Sequence, residues 1–226
     1  MTPNDATVSD ASIGDLNSDG KMEFLLALHG DPGGAVAVVG EGESREFLRW
    51  DAPTGTDGFG REGLRRALWL PALSRPNSPT VLVVEVPELG TQRAGCRVLS
   101  DAKLSSTHTP PFPSAERTVC DVVPIDDLDR DGVEDLVVLE SSRVRTSEPV
   151  DGVLRVVSGG DLGRVLWMAN FEAEDGGDAW VVTPVGDVDG DSTTDVGLLR
   201  RRVRDGHSAA TVFSGRSGRL VGEFTL

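Results

Sequence analysis

The sequence predicts an all-β protein, a β-propeller built from four four-stranded blades. Three observations lead to this. Short Val- and Leu-rich runs fill the chain and are broken throughout by turn residues, with 27 glycines and 13 prolines among 226 residues. An acidic pattern, D-x-[DN]-x-D-x-x-x-[DE], occurs three times, and each copy runs directly into an apolar stretch. The copies define a unit of about 55 to 60 residues containing four short strands, close to the periods of propeller blades.

The acidic pattern carries the chemistry. Residues 14–27, GDLNSDGKMEFLLA, place Asp15, Asn17, Asp19 and Glu23 at positions 1, 3, 5 and 9 of a loop. Residues 126–139, DDLDRDGVEDLVVL, place Asp127, Asp129, Asp131 and Asp135 there, and residues 186–200, GDVDGDSTTDVGLLR, place Asp187, Asp189, Asp191 and Asp195. Carboxylates this close repel one another, so without a cation or solvent to take up the charge the arrangement opposes folding. A single copy would read as a solvated acidic turn. Three copies in one frame read as cation sites.

The first and third loops start 112 residues apart, the third and fourth 60. Halving the longer interval places another copy near residue 71 or 72, within WLPALSRPNSPTVLVVEV. In register, Ala72, Ser74, Pro76 and Thr80 take the ligand positions and Val81–Val84 the apolar run, so this copy keeps the frame without the carboxylates. The competing reading here is an amphipathic helix in EGLRRALWL, residues 62–70.

Every unit has the same order of strands. A β-rich segment precedes the loop (RTVCDVVPI, AWVVTPV) and a second run follows it (EFLLAL, LVVLE, VGLLR). The third strand is AVAVV, GCRVL, VLRVVSG or ATVFSG, and the fourth is EFLRW, RVLWMA or RLVGEFTL, with no clear fourth strand in the second unit. The blades are expected at about residues 5–50, 61–108, 116–170 and 178–226 of one propeller region covering 1–226. Four copies fit a complete small ring, a half-ring that dimerises, or a segment of a larger propeller.

A formal charge of −15 argues against a nucleic-acid partner, because phosphate binding needs a basic surface. Divalent ions in the loops would cancel a good part of that excess. No apolar stretch approaches the length of a membrane span, and MTPNDATVSD has neither the basic start nor the apolar segment of a signal peptide, so the chain is expected to be soluble as given. Cys96 and Cys120 are too few for a disulfide scaffold and lack the paired spacing of a zinc site. Two buried thiols are expected, a single bridge being the alternative.

The three loops, together with the SG-x-x-G turns in SGGDLGRVLW and SGRSGRLVGEF, resemble the FG-GAP/VCBS repeats of integrin-α-type β-propellers. The resemblance is strong in copies one, three and four and weak in copy two. It implies that each acidic loop joins the first two strands of a blade, with carboxylates 1, 3, 5 and 9 converging with the position-7 carbonyl on a metal ion. Those carbonyls belong to Lys21, Val133 and Thr193. All-oxygen, carboxylate-rich ligation suits Ca²⁺, which takes about 6 to 8 flexible oxygen ligands, whereas Mg²⁺ demands stricter octahedral geometry. No His or Cys enters the loops, which disfavours zinc and copper. An EF-hand also opens D-x-D-x-D-G, but its position-12 Glu would fall on Leu26, Val138 or Leu198, all apolar. Three Ca²⁺ sites are therefore expected, with loop three the tightest: four aspartates, and Gly132 at position 6 where a left-handed backbone is easiest.

His29, His108 and His207 share no fixed spacing with another His or Cys, and no nucleophile elbow, HExxH or phosphate-cradling Gly loop is present, so no catalytic residue is assigned. The resemblance implies an extracellular or cell-envelope binding or adhesion module that recognises a protein or glycan on a propeller face. The alternative is a secreted polysaccharide-active enzyme or lectin on the same scaffold. The rim opposite the acidic loops would gather His29, Arg143, Arg145, Arg202, Arg204 and His207, near Trp50 and Phe59. There a carboxylate or sulfate of an acidic partner would meet bidentate arginines, unless Glu148 and Asp205 pair with them.

Overall fold

The computed structural model describes residues 7–15, 20–30, 33–40, 46–51, 64–70, 73, 80–85, 96–100, 106–108, 117–142, 150–173, 179–201 and 208–225. Within them the chain is all-β, with four antiparallel four-stranded sheets and no α-helix. Sheet one comprises β1 (Thr7–Gly14), β2 (Glu23–Gly30), β3 (Gly33–Gly40) and β4 (Glu46–Asp51). Sheet two comprises β5 (Leu64–Trp69), β6 (Val81–Glu85), β7 (Cys96–Ser100) and β8 (Ser106–His108). Sheet three holds β9 (Arg117–Ile125), β10 (Asp135–Ser142), β11 (Val150–Val157) and β12 (Val165–Ala173). Sheet four holds β13 (Ala179–Gly186), β14 (Asp195–Arg201), β15 (Ser208–Phe213) and β16 (Leu220–Thr225). Each sheet is a meander in which consecutive strands pair. The chain divides into two compact units, Met1–Pro110 with sheets one and two and Pro111–Leu226 with sheets three and four.

The helix reading of residues 62–70 is overturned, since Leu64–Trp69 is β5 and pairs with β6 through Ala67 to Val83 and Leu68 to Leu82. The apolar residues there match a helical stripe, but pairing with the continuous apolar run of β6 buries Ala67 and Leu68 on opposite faces of a strand. The fourth strand that pattern left undefined in the second unit is the short β8. Both cysteines are thiols. Cys96 is buried in β7, while Cys120 is half-buried in β9 with its sulfur 3.1 Å from the Ser141 hydroxyl.

Because side chains alternate along a strand, each sheet has two faces, and one rule governs which face meets which. Position numbers count from Asp15, Ala72, Asp127 and Asp187 as position 1 of each loop. In the first unit Leu25 and Ala27, positions 11 and 13 of sheet one, pack against Val81 and Val83, positions 10 and 12 of sheet two. In the second unit Val137 and Leu139, again positions 11 and 13, pack against Val196 and Leu198, again 10 and 12. Fully burying a Val or Leu side chain contributes about 1.5–3 kcal/mol, so these face-to-face joints hold each unit together.

Candidate metal centre

In sheet three the acidic loop leaves β9 and returns as β10; in sheet four it leaves β13 and returns as β14. Both loops fold by the same bonds. Asp127 accepts the amides of Asp131 at 3.1 Å and Gly132 at 2.8 Å, and Asp187 accepts those of Asp191 at 3.0 Å and Ser192 at 2.9 Å. The position-9 carboxylate closes the loop from the other side. Asp135 accepts Leu128 N–H at 2.8 Å, and Asp195 accepts Val188 N–H at 2.8 Å. A tight loop of this kind needs left-handed residues at positions 4 and 6, and each loop supplies one glycine and one other residue: Arg130 (φ 62°) with Gly132 (φ 92°), Gly190 (φ 83°) with Ser192 (φ 66°).

The turn between the third and fourth strands supports the loop from beneath. The amide of Gly159 donates to Asp135 at 3.1 Å, and that of Gly215 donates to Asp195 at 2.9 Å. Ser158 and Ser214 donate their hydroxyls to Asp131 and Asp191, at 3.2 and 3.5 Å. The approach is so close that a Cβ on Gly159 would lie 1.9 Å from the Glu134 carbonyl oxygen, and one on Gly215 1.8 Å from that of Thr194. These four turn residues were not assigned to the site from sequence. The signal was present in the SG that ends the third strand in both copies, at the same distance from the start of β10 and β14 to within a few residues.

Held in this way, Asp127, Asp129 and Asp135 bring carboxylate oxygens within 4.8 Å of one another, and Asp187, Asp189 and Asp195 do the same. Oxygens about 2.3–2.6 Å from a common centre can be separated by at most twice that distance, so either triad can close on one hard cation. Asp131 and Asp191 do not join these triads; each is bonded to the SG serine and to the amide of Val133 or Thr193, both at 2.9 Å. Position 9 is fully buried in both loops and position 1 is more open, half-buried at Asp127 and exposed at Asp187. Burial raises the Asp135 carboxyl above the ordinary aspartate range, and the amides of Leu128 and Gly159 pull it back. A further difference is Arg164, whose Nη1 lies 2.9 Å from Asp129 Oδ2.

Between the two loops lies a polar cleft of about 360 Å³, lined by Asp126, Asp127, Arg130, Asp191, Ser192 and Arg216 among others, and bridged by a hydrogen bond from the Thr194 hydroxyl to Asp126. The first loop is described only at its ends. Asp15 accepts the Gly20 amide at 2.9 Å, Glu23 is buried at the start of β2, Lys21 is exposed, and Asn17 and Asp19 lie outside the described residues. Gly20 has φ 84°, the same left-handed turn at position 6. In the carboxylate-free copy Thr80 is buried at position 9 and its hydroxyl donates to the Leu73 carbonyl at 2.9 Å. Positions 9 and 2 are thus tied as in the acidic loops, with the polarity of the bond reversed. Ala72, Ser74 and Pro76 lie outside the described residues, as do Phe59, Arg143, Arg145, Glu148, Arg202, Arg204, Asp205 and His207. His29, Trp50 and His108 fall in strands, but their side chains are likewise outside the described set.

No protein-family model, curated protein or solved structure matches the chain. The fold and the two aspartate triads define it as an all-β repeat protein with acidic clusters able to hold a metal ion.

Proposed function

We propose that the chain is a calcium-stabilised binding module of the FG-GAP/VCBS propeller type, working outside the cell or in the cell envelope and recognising a protein or glycan partner. One observation carries this reading: two loops with the same bonding scheme each converge three carboxylates on one point and anchor the most buried of them with two backbone amides. The oxygen-only donor set favours a hard cation, and the flexible carboxylate geometry favours Ca²⁺ over Mg²⁺. Asp15, Asn17, Asp19 and Glu23, with the carbonyl of Lys21, form the third site in this reading, and the carbonyls of Val133 and Thr193 complete the other two. Calcium would fix the loops, and with them the strand ends from which a partner surface is built.

The test is a metal count with thermal melting. The protein dialysed against Ca²⁺ should hold three ions, and Asp129→Ala and Asp189→Ala should each remove one. A free ion concentration about 100 times Kd stabilises the folded state by about 2.7 kcal/mol per site, so chelation should lower Tm by several degrees. An unchanged metal count in both variants, or a Tm indifferent to chelation, would sink the proposal. Partner recognition is then checked on glycan and peptide arrays at matched calcium.

A further inference from the structure

Within the unit Pro111–Leu226, the cleft between the loops of sheets three and four is lined asymmetrically by the two repeats. Loop three contributes Asp127 and Arg130, positions 1 and 4, and loop four contributes Asp191, Ser192 and Thr193, positions 5 to 7. Arg130 (φ 62°) and Ser192 (φ 66°) are the only non-glycine residues with a left-handed backbone among the described residues, and both line this cleft. The glycine of each left-handed pair, Gly132 or Gly190, is not part of the lining. Backbone strain of this kind clusters at binding sites, where the side chain it carries is needed.

The charges in the cleft are unevenly satisfied. Asp126 accepts the Thr194 hydroxyl, Asp127 the amides of Asp131 and Gly132, and Asp191 the Thr193 amide and the Ser214 hydroxyl. Arg130 and Arg216 are exposed, and neither makes a hydrogen bond or ion pair with any described residue. Arg164, by contrast, is paired with Asp129. Arg216 belongs to sheet four alone, since the residue after the SG pair in sheet three is Gly160. The charged groups left without a partner in this cleft are therefore two guanidiniums.

We infer that the cleft binds a uronate, a sugar ring bearing one carboxylate. Arg130 and Arg216 take the carboxylate through paired N–H bonds, the geometry in which guanidinium and carboxylate match. Ser192, Thr193 and the carboxylate of Asp126 offer acceptors to the ring hydroxyls, which a bare anion such as sulfate would leave without donors. A volume of about 360 Å³ stands at the lower end of small-ligand sites and suits a single polar ring. The site names a ligand chemistry within the binding-module reading and does not require the loops to hold calcium.

Calorimetric titration of the whole chain with methyl β-glucuronide tests it, with the metal count and β-sheet spectrum recorded for every variant. Saturable binding is expected, with methyl β-glucoside, acetate and inorganic sulfate each bound at least tenfold more weakly. Arg130→Gln and Arg216→Gln should each weaken glucuronide binding about fivefold or more. Arg219→Gln removes the same charge from the same turn outside the cleft lining and should leave binding unchanged. Arg130→Lys and Arg216→Lys take their place should either glutamine variant lose its β-sheet spectrum, and should still weaken binding because an ammonium cannot form the paired bonds. A protein that binds no glucuronide overturns the site, and a full metal count beside that result leaves the metal reading standing. Equal binding of the glucoside or of sulfate overturns the uronate assignment, as does an equal loss of binding in Arg219→Gln.

Discussion

Arg164 donates to Asp129 at 2.9 Å, so a guanidinium already sits on one of the three carboxylates that converge in the loop of sheet three. A cation entering that loop must share Asp129 with Arg164 or displace it. The arginine side chain is more than half exposed, so the pair itself is worth about 0.2–1 kcal/mol. Arg164→Ala should therefore tighten calcium binding at this loop by up to about fivefold and leave the loop of sheet four unchanged. Calorimetric titration of the two proteins decides it, and weaker binding by the variant would contradict the competition.

Gly159 and Gly215 admit no side chain, because the added carbon would meet a backbone oxygen that cannot swing away. Gly159→Ala and Gly215→Ala should each destabilise the fold by about 1–3 kcal/mol, the usual range for overpacking. Gly132→Ala, with open space but φ 92°, should cost about 1–2 kcal/mol through backbone conformation alone. Urea denaturation separates the cases: the first two should also weaken metal binding, since they displace the amides that fix Asp135 and Asp195.

Each acidic loop keeps one non-glycine residue in a left-handed conformation, Arg130 or Ser192. Arg130→Gly and Ser192→Gly should each stabilise the protein by about 0.5–1 kcal/mol, the relief of strain exceeding the added freedom of the unfolded chain. Melts in chelator isolate the effect from metal affinity, and a lowered Tm in both variants would refute it.

Glu140 is buried, with Oε2 3.3 Å from Arg155 Nη2 and no hydrogen-bond partner for Oε1 among the described residues. Burial raises its pKa, with Arg155 and Arg117 opposing the shift. A raised carboxyl pKa means that the folded state binds the proton more tightly than the unfolded state. Its contribution is fully present below the ordinary glutamate value and is lost as pH rises through the folded value. Glu140→Gln removes this dependence, so its stability relative to the wild type should improve as pH is raised across that window. Parallel stability curves for the two proteins would exclude the assignment.

The strands were legible because apolar runs such as LVVLE and VGLLR follow each loop without a break, and the ligand-rich frames were legible because like charges rarely recur at fixed spacing by chance. Which carboxylates converge was not. Asp131 and Asp191 occupy positions identical in kind to Asp129 and Asp189, yet they stand outside the triads and accept hydrogen bonds from serines 27 and 23 residues downstream. The Arg164 contact spans 35 residues in the same way. The competing helix reading of residues 62–70 fails because Ala67 and Leu68 are buried on opposite faces of a paired strand, a circumstance set by the partner strand and invisible to local periodicity.

Trp167, on the last strand of sheet three, donates its indole N–H to the carbonyl of Gly215 and lays its ring beneath Gly218, in the turn that carries the anchor of Asp195. The indole of one repeat is thus fastened to the turn beneath the acidic loop of the next, so the two sheets of this unit share one support for Asp195. Trp167 couples sheet three to the support of Asp195 and has no counterpart role at the loop of sheet three among the described residues.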